Sequence, residues 1–243
     1  MCSSDLMPAP ALLSATPAGL YETGSDGLVV GGIALLHGEN LAYWDLAASA
    51  LPLPGELNKT IVEVNGVPAP LFAVSPGEVS LQIPWELSGM STVSLRVVVD
   101  GKASNRIEVA LATAAPQLLA AVPAGDNTAA IAPASADSAG TQPGAMQRGS
   151  VMVLYGLGLG AVSNPPSSGN GASMESPSLS LELPEVYIGD VPAQVLYSGL
   201  APQWVGVYQI NVAVPMDAPA ESAVAVQLRV AGTSSNQLMV PVN

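Results

Sequence analysis

Short runs of alternating apolar and polar residues recur along this chain. Val93-Ser94-Leu95-Arg96-Val97 alternates residue by residue, and Val224-Ala225-Val226-Gln227-Leu228-Arg229-Val230 repeats the pattern further on. Successive side chains of an extended strand point to opposite faces, so this alternation predicts strands with one face buried. Ile61-Val62-Glu63-Val64, Val207-Tyr208-Gln209-Ile210-Asn211-Val212 and Ile107-Glu108-Val109 predict further short strands. Between them, Asn65-Gly66 and Asp100-Gly101 tolerate positive φ and predict tight hairpin turns, as does Gly189-Asp190 with its glycine moved by one position. No segment carries the i, i+3, i+4 spacing of a helix over three turns.

The blocks come twice, in one order. Ala9-Pro10-Ala11-Leu12-Leu13 returns as Ala115-Pro116-Gln117-Leu118-Leu119, and Ile33-Ala34-Leu35-Leu36-His37-Gly38 returns as Val151-Met152-Val153-Leu154-Tyr155-Gly156. Val64-Asn65-Gly66-Val67-Pro68-Ala69 matches Ile188-Gly189-Asp190-Val191-Pro192-Ala193. Leu81-Gln82-Ile83-Pro84 matches Val212-Ala213-Val214-Pro215, and Gly101-Lys102-Ala103-Ser104-Asn105 matches Gly232-Thr233-Ser234-Ser235-Asn236. The spacing widens in the second copy, as it does when insertions fall in surface loops. The expected organisation is all-β, two tandem Ig-like β-sandwich domains, at 9–112 and 115–243. Residues 124–147 and 163–177, rich in Ala, Pro, Ser, Gly and Asn, read as long surface loops.

Composition supports this. With 24 Gly and 22 Pro, helix interiors would be broken repeatedly, and only 10% charged residues beside 49% hydrophobic ones argues against disorder. A net charge of −13, from 19 acidic and six scattered basic residues, excludes nucleic acid as a partner, since no basic stripe exists to neutralise phosphates. Cys2 is the sole cysteine, so neither an intrachain disulfide nor a cysteine metal site is available. The opening Met1-Cys2-Ser3-Ser4-Asp5-Leu6 reads as translated sequencing-adapter DNA, so residues 1–8 are set aside, and the natural chain is expected to extend upstream. No apolar run approaches the ~18 residues that span a bilayer, so membrane insertion is not expected.

The pattern resembles the IPT/TIG class of Ig-like domains: a strand ending in Gly-x-x-Leu (Gly38 to Leu41, Gly156 to Leu159), a turn followed by Val-Pro-Ala, a strand ending in Pro, and a late Gly-x-x-Ser-Asn. More narrowly it is similar to an uncharacterised repeat family at the C-termini of large acidobacterial exported proteins, through Arg148–Gly160 and Gly199–Val212. The resemblance implies Ig-like sandwiches, bacterial export and an extracellular or cell-surface location. It brings no catalytic residues.

Candidate chemistry is sparse. His37 is the only histidine and no Gly-x-Ser-x-Gly elbow exists, so a Ser-His-Asp triad is not expected. Gly156-Leu157-Gly158-Leu159-Gly160 lacks the spacing of a dinucleotide loop and reads as tight-turn structure. Glu182 and Glu185 have no evident cleft to flank. There is no Asp-x-Asp-x-Asp-Gly calcium loop. No cofactor, metal or catalytic residue is therefore expected. The aromatics remain: Trp204 and Tyr197, with Trp44, are the candidate ligand contacts, for rings that stack on sugars, whereas Trp85 after Pro84 reads as a plug closing one end of its sandwich. The expected role is a non-enzymatic structural or adhesive module, with a carbohydrate-binding accessory module as the alternative. A polysaccharide or a cell-surface protein would be its partner.

Overall fold

The computed structural model describes residues 8–19, 27–123 and 145–243. The stretch 1–6 read as adapter sequence and most of the loop at 124–147 lie outside the described residues. The chain is all-β: the described residues form eighteen strands and one 3-10 turn at Trp85–Leu87. Its described residues divide into two compact units, the first holding those up to Ala18, those from 27 to Ala112 and Pro166–Gly171, the second holding Gly19 and the rest from Thr113 to Asn243.

The first unit contains β1 (Ala11–Pro17), β2 (Ile33–Glu39), β3 (Leu46–Ala47), β4 (Thr60–Val64), β5 (Val67–Pro68), β6 (Leu71–Val74), β7 (Glu78–Gln82), β8 (Thr92–Val99), β9 (Lys102–Ala103) and β10 (Ile107–Ala110). One sheet runs β1-β2-β7-β6-β3 and the other β10-β8-β4-β5, with β9 on β8. The alternation in the sequence decides the faces. On β8, Val93, Leu95, Val97 and Val99 are buried, while Ser94, Arg96 and Val98 between them are not. Those valines and Leu95 join Leu36, Leu71, Val79 and Leu81 of the other sheet in a single core. Two antiparallel sheets closed over one apolar layer make an Ig-like sandwich.

Turn chemistry fixes the hairpins. Asn65 and Gly66 have φ of 51° and 80°, and Asp100 and Gly101 have 48° and 81°, the paired left-handed residues of a type I′ turn. Trp85 is buried, and a Cβ on Gly31 (φ 72°) would fall 2.1 Å from its ring, so only glycine lets the chain pass beneath the indole.

Pro166–Gly171 was expected in a surface loop, and hydrogen bonds hold it to the first unit. The Gly169 N–H donates to Gln82 Oε1 (2.7 Å), while Gln82 Nε2 donates to the Gly31 carbonyl (3.2 Å). A fully buried amide must be satisfied on both its donor and its acceptor side, and this loop supplies the donor.

The second unit contains β11 (Gln117–Pro123), β12 (Val151–Leu157), β13 (Glu185–Ile188), β14 (Val191–Leu200), β15 (Val207–Ala213), β16 (Val224–Val230), β17 (Thr233–Ser234) and β18 (Leu238–Val240). Their order is β11-β12-β15-β14-β13-β16-β17, with β18 on β16. The ten-residue β14 pairs with β13 through Val191–Ala193, then with β15 from Gln194 onward, and a bulge between Val195 and Tyr197 bends it from one sheet to the other. In the first unit the same passage is broken into β5 and β6 around Ala69 and Pro70. The repeat therefore reproduces the sandwich while letting one strand turn the corner unbroken. Gly189 has positive φ (62°) and Asp190 does not, so this hairpin uses the II′ pattern in place of I′.

Tyr208 on β15 is fully buried, and its hydroxyl donates to the Gly160 carbonyl. Burial pushes its pKa far above the ordinary tyrosine value, because the phenolate would have no water around it. The folded value lies above the unfolded one, so the contribution is complete below pH ~10 and is lost as pH rises past the unfolded tyrosine pKa, at up to about 1.4 kcal/mol per pH unit. Tyr208→Phe should flatten this alkaline decline. Hydrogen exchange of β12 and β15 between pH 9 and 11 measures it, and an unchanged decline in the variant would contradict the assignment.

Candidate functional site

The late Gly-x-x-Ser-Asn block makes the same device in both units. In the first, Asn105 Nδ2 donates to the Leu12 carbonyl (2.8 Å) and Asn105 Oδ1 accepts from the Leu12 N–H (2.9 Å). In the second, Asn236 Nδ2 donates to the Leu118 carbonyl (3.0 Å) and Oδ1 accepts from the Leu118 N–H (2.7 Å). Each side-chain amide thus imitates one rung of a backbone ladder. Each sits where the first strand bulges, between Leu12 and Ser14 and between Leu118 and Ala120, and where the ladder alone would leave Leu12 and Leu118 unpaired on that side.

The preceding serines orient the amides. Ser104 Oγ accepts from the Val97 N–H (3.0 Å) and donates to the Asn105 carbonyl (2.6 Å), and Ser235 does the same with Leu228 (3.1 Å) and Asn236 (2.6 Å). In the first unit β1 belongs to one sheet and the Asn105 segment leads into β10 of the other. The asparagine clasp therefore ties the first strand of the sandwich to its last. The sequence showed the repeated block but not this role, which became visible only when β1 was placed beside Asn105.

The glycine run has a related explanation, which replaces the tight-turn reading. A Cβ on Gly156, Gly158 or Gly160 would fall 2.7, 2.2 or 2.6 Å from the carbonyl oxygens of Gln117, Ala115 and Thr113 respectively. Alternate glycines thus face alternate carbonyls of the strand entering the unit, and Ala115 N–H donates to the Gly158 carbonyl (2.8 Å). Leu157 and Leu159 between them point into the core. This is close backbone packing with no phosphate-binding helix after it.

The three tryptophans separate. Trp85 is buried, as a plug should be, whereas Trp44 is 62% and Trp204 45% exposed. Trp204 sits in a turn whose N–H donates to the Ala201 carbonyl (3.2 Å). Tyr197 lies on β14, half-buried, with its pKa raised by desolvation. No ring pair joins Tyr197 to Trp204 among the described residues. Trp44 instead stands beside Tyr43, ring centroids 6.0 Å apart and planes tilted by 45°.

Around that pair three turns of the first unit converge. Tyr43 Oη donates to Asp100 Oδ2 (3.0 Å), Lys59 Nζ donates to Asp100 Oδ1 (3.1 Å), and Lys59 Nζ lies 5.9 Å from the Tyr43 ring centre. Asn58 Nδ2 donates to the Trp44 carbonyl (2.8 Å). The Lys59 and Tyr43 hydrogen bonds hold the Asp100 carboxyl below its usual pKa, and the same carboxylate raises that of Tyr43. The sequence had not marked Tyr43, Asn58, Lys59 and Asp100 as ligand contacts (Asp100 was read as a turn residue), because they are drawn together from distant turns. Further along the chain Asp45 lines an open groove of about 330 Å³ with Leu46, Ser75, Glu78 and Ser80. His37 faces Glu78 across the β2–β7 ladder, Nδ1 to Oε2 3.5 Å, with both side chains partly exposed. Among the described residues no group of three or more His, Cys, Asp or Glu is placed to hold a metal ion, and no helix is long and apolar enough to cross a membrane.

No family model matches the chain, and no curated protein matches it. Among solved structures it is similar to the full extracellular region of plexin A4 (10% identity, all of this chain and 16% of that one, TM-score 0.34). It is also similar to SGBP-B from a complex xyloglucan utilization locus in Bacteroides uniformis (12% identity, 96% of this chain and 50% of that one, TM-score 0.30). A third is the D00-D0 domain of intimin (9% identity, 95% of this chain and 98% of that one, TM-score 0.22). The chain spans a sixth and a half of the length of the first two. These scores are low, and the Ig-like assignment stands on the sheet order and the shared core described above.

Proposed function

We propose that this chain is a non-catalytic structural or adhesive module of a larger bacterial exported protein, working outside the cell or at its surface as a spacer or attachment element. The observation that carries this reading is the clasp, built twice from the same Ser-Asn pair. In a tandem pulled by its ends, force enters a domain through its first strand and leaves through its last. A two-hydrogen-bond rung between those regions resists their separation at the point where the bulge weakens the ladder. The resemblance of the repeats to those of acidobacterial exported proteins agrees with export.

Single-molecule stretching of the chain between marker domains tests the reading. Two separate unfolding events are expected, with Asn105→Ala lowering the force of one and Asn236→Ala that of the other. A single event, or forces indifferent to both substitutions, would remove the mechanical argument. Turnover in a hydrolase panel, abolished by one point substitution, would defeat the non-catalytic assignment.

One observation favours a second reading, a carbohydrate-binding accessory module of an extracellular enzyme. Two of the three tryptophans keep large apolar faces in water, which a purely packing role does not require.

A further inference from the structure

We infer that the corner formed by Trp44, Tyr43, Asn58, Lys59 and Asp100 is a binding platform for a neutral hexose polysaccharide, an inference that rests on the carbohydrate-binding reading. Trp44 is the most exposed of the tryptophans, yet its main chain is fixed by the Asn58 amide. An exposed, hydrated indole is suited to the apolar C–H face of a pyranose, where flat apolar area meets a ligand with few torsions to freeze.

One of the turns that hold it carries backbone strain. Asn58 and Lys59 take φ of 48° and 60°, consecutive left-handed residues without a glycine, in a turn closed by reciprocal Leu57–Thr60 hydrogen bonds (3.1 and 2.7 Å). Asparagine tolerates this conformation, but for Lys59 it costs ~1–2 kcal/mol, and strain of that kind clusters at binding sites. Here the strain delivers two donors: the Asn58 amide to Trp44 and the Lys59 ammonium to Asp100. Asp100, itself at φ 48°, receives both Lys59 and the Tyr43 hydroxyl. An exposed ion pair adds little stability, and this one places a carboxylate and an ammonium beside the Tyr43–Trp44 rings.

Charge selects the ligand class. Lys59 is paired with Asp100, a carboxylate that Lys102 also acts on, while Asp45 and Glu78 line the adjoining groove and the whole chain carries −13, so a uronate or sulfated glycan would be disfavoured there. Uncharged hydroxyls can donate to the carboxylate and accept from the ammonium without that penalty. Asp45, next in sequence to Trp44, lines a groove in which Glu78 and Ser80 can meet further hydroxyls.

Affinity electrophoresis of the full chain in gels containing mixed-linkage β-glucan, glucomannan, galactan or polygalacturonate tests this. The wild type should be retarded by at least one neutral polymer and not by polygalacturonate. Trp44→Ala should weaken that retardation about tenfold or more, with an unchanged melting temperature because the ring is exposed, and Asp100→Asn should weaken it less. Trp204→Ala should leave it intact. If Trp204→Ala abolishes binding while Trp44→Ala does not, this site is wrong and the carbohydrate-binding reading survives. If the wild type is retarded by none of the neutral polymers, both fall, and retardation by polygalacturonate alone overturns the neutral assignment.

Discussion

Gly158→Ala should destabilise the second unit by about 3 kcal/mol or more while leaving the first unit's melting unchanged. Two costs add. Gly158 has φ of 69°, a left-handed conformation that costs an L-residue ~1–2 kcal/mol. Its new Cβ would also fall 2.2 Å from the Ala115 carbonyl oxygen, a backbone atom that cannot swing aside as a side chain could, and such overpacking costs ~1–3 kcal/mol. The first unit supplies the internal control. Gly38 corresponds to Gly156, so Gly158 corresponds to Asn40, which also takes positive φ (55°) but carries a side chain. The left-handed backbone is thus common to both copies, and the close carbonyl is what the second copy adds. Gly158→Asn separates the two costs, since asparagine tolerates the conformation but still brings a Cβ to Ala115. Most of the loss should persist in Gly158→Asn. Differential scanning calorimetry with hydrogen exchange on β11 and β12 reads both variants, and a Gly158→Asn protein as stable as wild type would show that the close approach costs nothing.

The same comparison shows what the sequence could and could not disclose. Period-two alternation placed β4, β8, β10, β15 and β16, because burial on one face is a local pattern. Asn65-Gly66 and Asp100-Gly101 were legible as turns for the same reason: their φ requirement lies within the dipeptide. Ser178–Leu183 marks the limit. It alternates polar residues with leucine, Ser178-Leu179-Ser180-Leu181-Glu182-Leu183, yet Ser178 and Ser180 are buried while Leu179, Leu181 and Leu183 are exposed. The serines go inward because they find partners there, Ser178 Oγ donating to the Asn164 carbonyl (2.8 Å) and Ser180 Oγ lying 2.8 Å from Ser198 Oγ. Hydropathy alone assigns the opposite face, since the partners come from remote segments. The aromatic corner was invisible on the same ground: Trp44 was singled out, but Tyr43, Asn58, Lys59 and Asp100 gained meaning only once three turns met.

Asn236→Ala should cost the second unit about 2–4 kcal/mol, and Asn105→Ala a similar amount in the first. Truncation removes two hydrogen bonds and strands both the N–H and the carbonyl of Leu118 beside a bulge, and each unsatisfied part-buried group costs ~1–3 kcal/mol. Leu118 itself is buried, so water cannot easily take the place of the amide. A sharper test is Asn236→Asp, nearly identical in size. At neutral pH the carboxylate can still accept from the Leu118 N–H, but its second oxygen faces the Leu118 carbonyl, acceptor against acceptor. That repulsion raises the folded pKa of the new carboxyl above its unfolded value. Stability relative to wild type is then recovered as pH falls toward ~4, where protonation restores a donor, and lost as pH rises through the raised value. Melting temperatures of wild type, Asn236→Ala and Asn236→Asp at pH 4 and 7 decide the matter. The alanine deficit should be the same at both pH values and the aspartate deficit should shrink in acid. If the two variants respond alike, the asparagine is filling space and not serving as a rung, and the mechanical role proposed for the repeated clasp loses its basis.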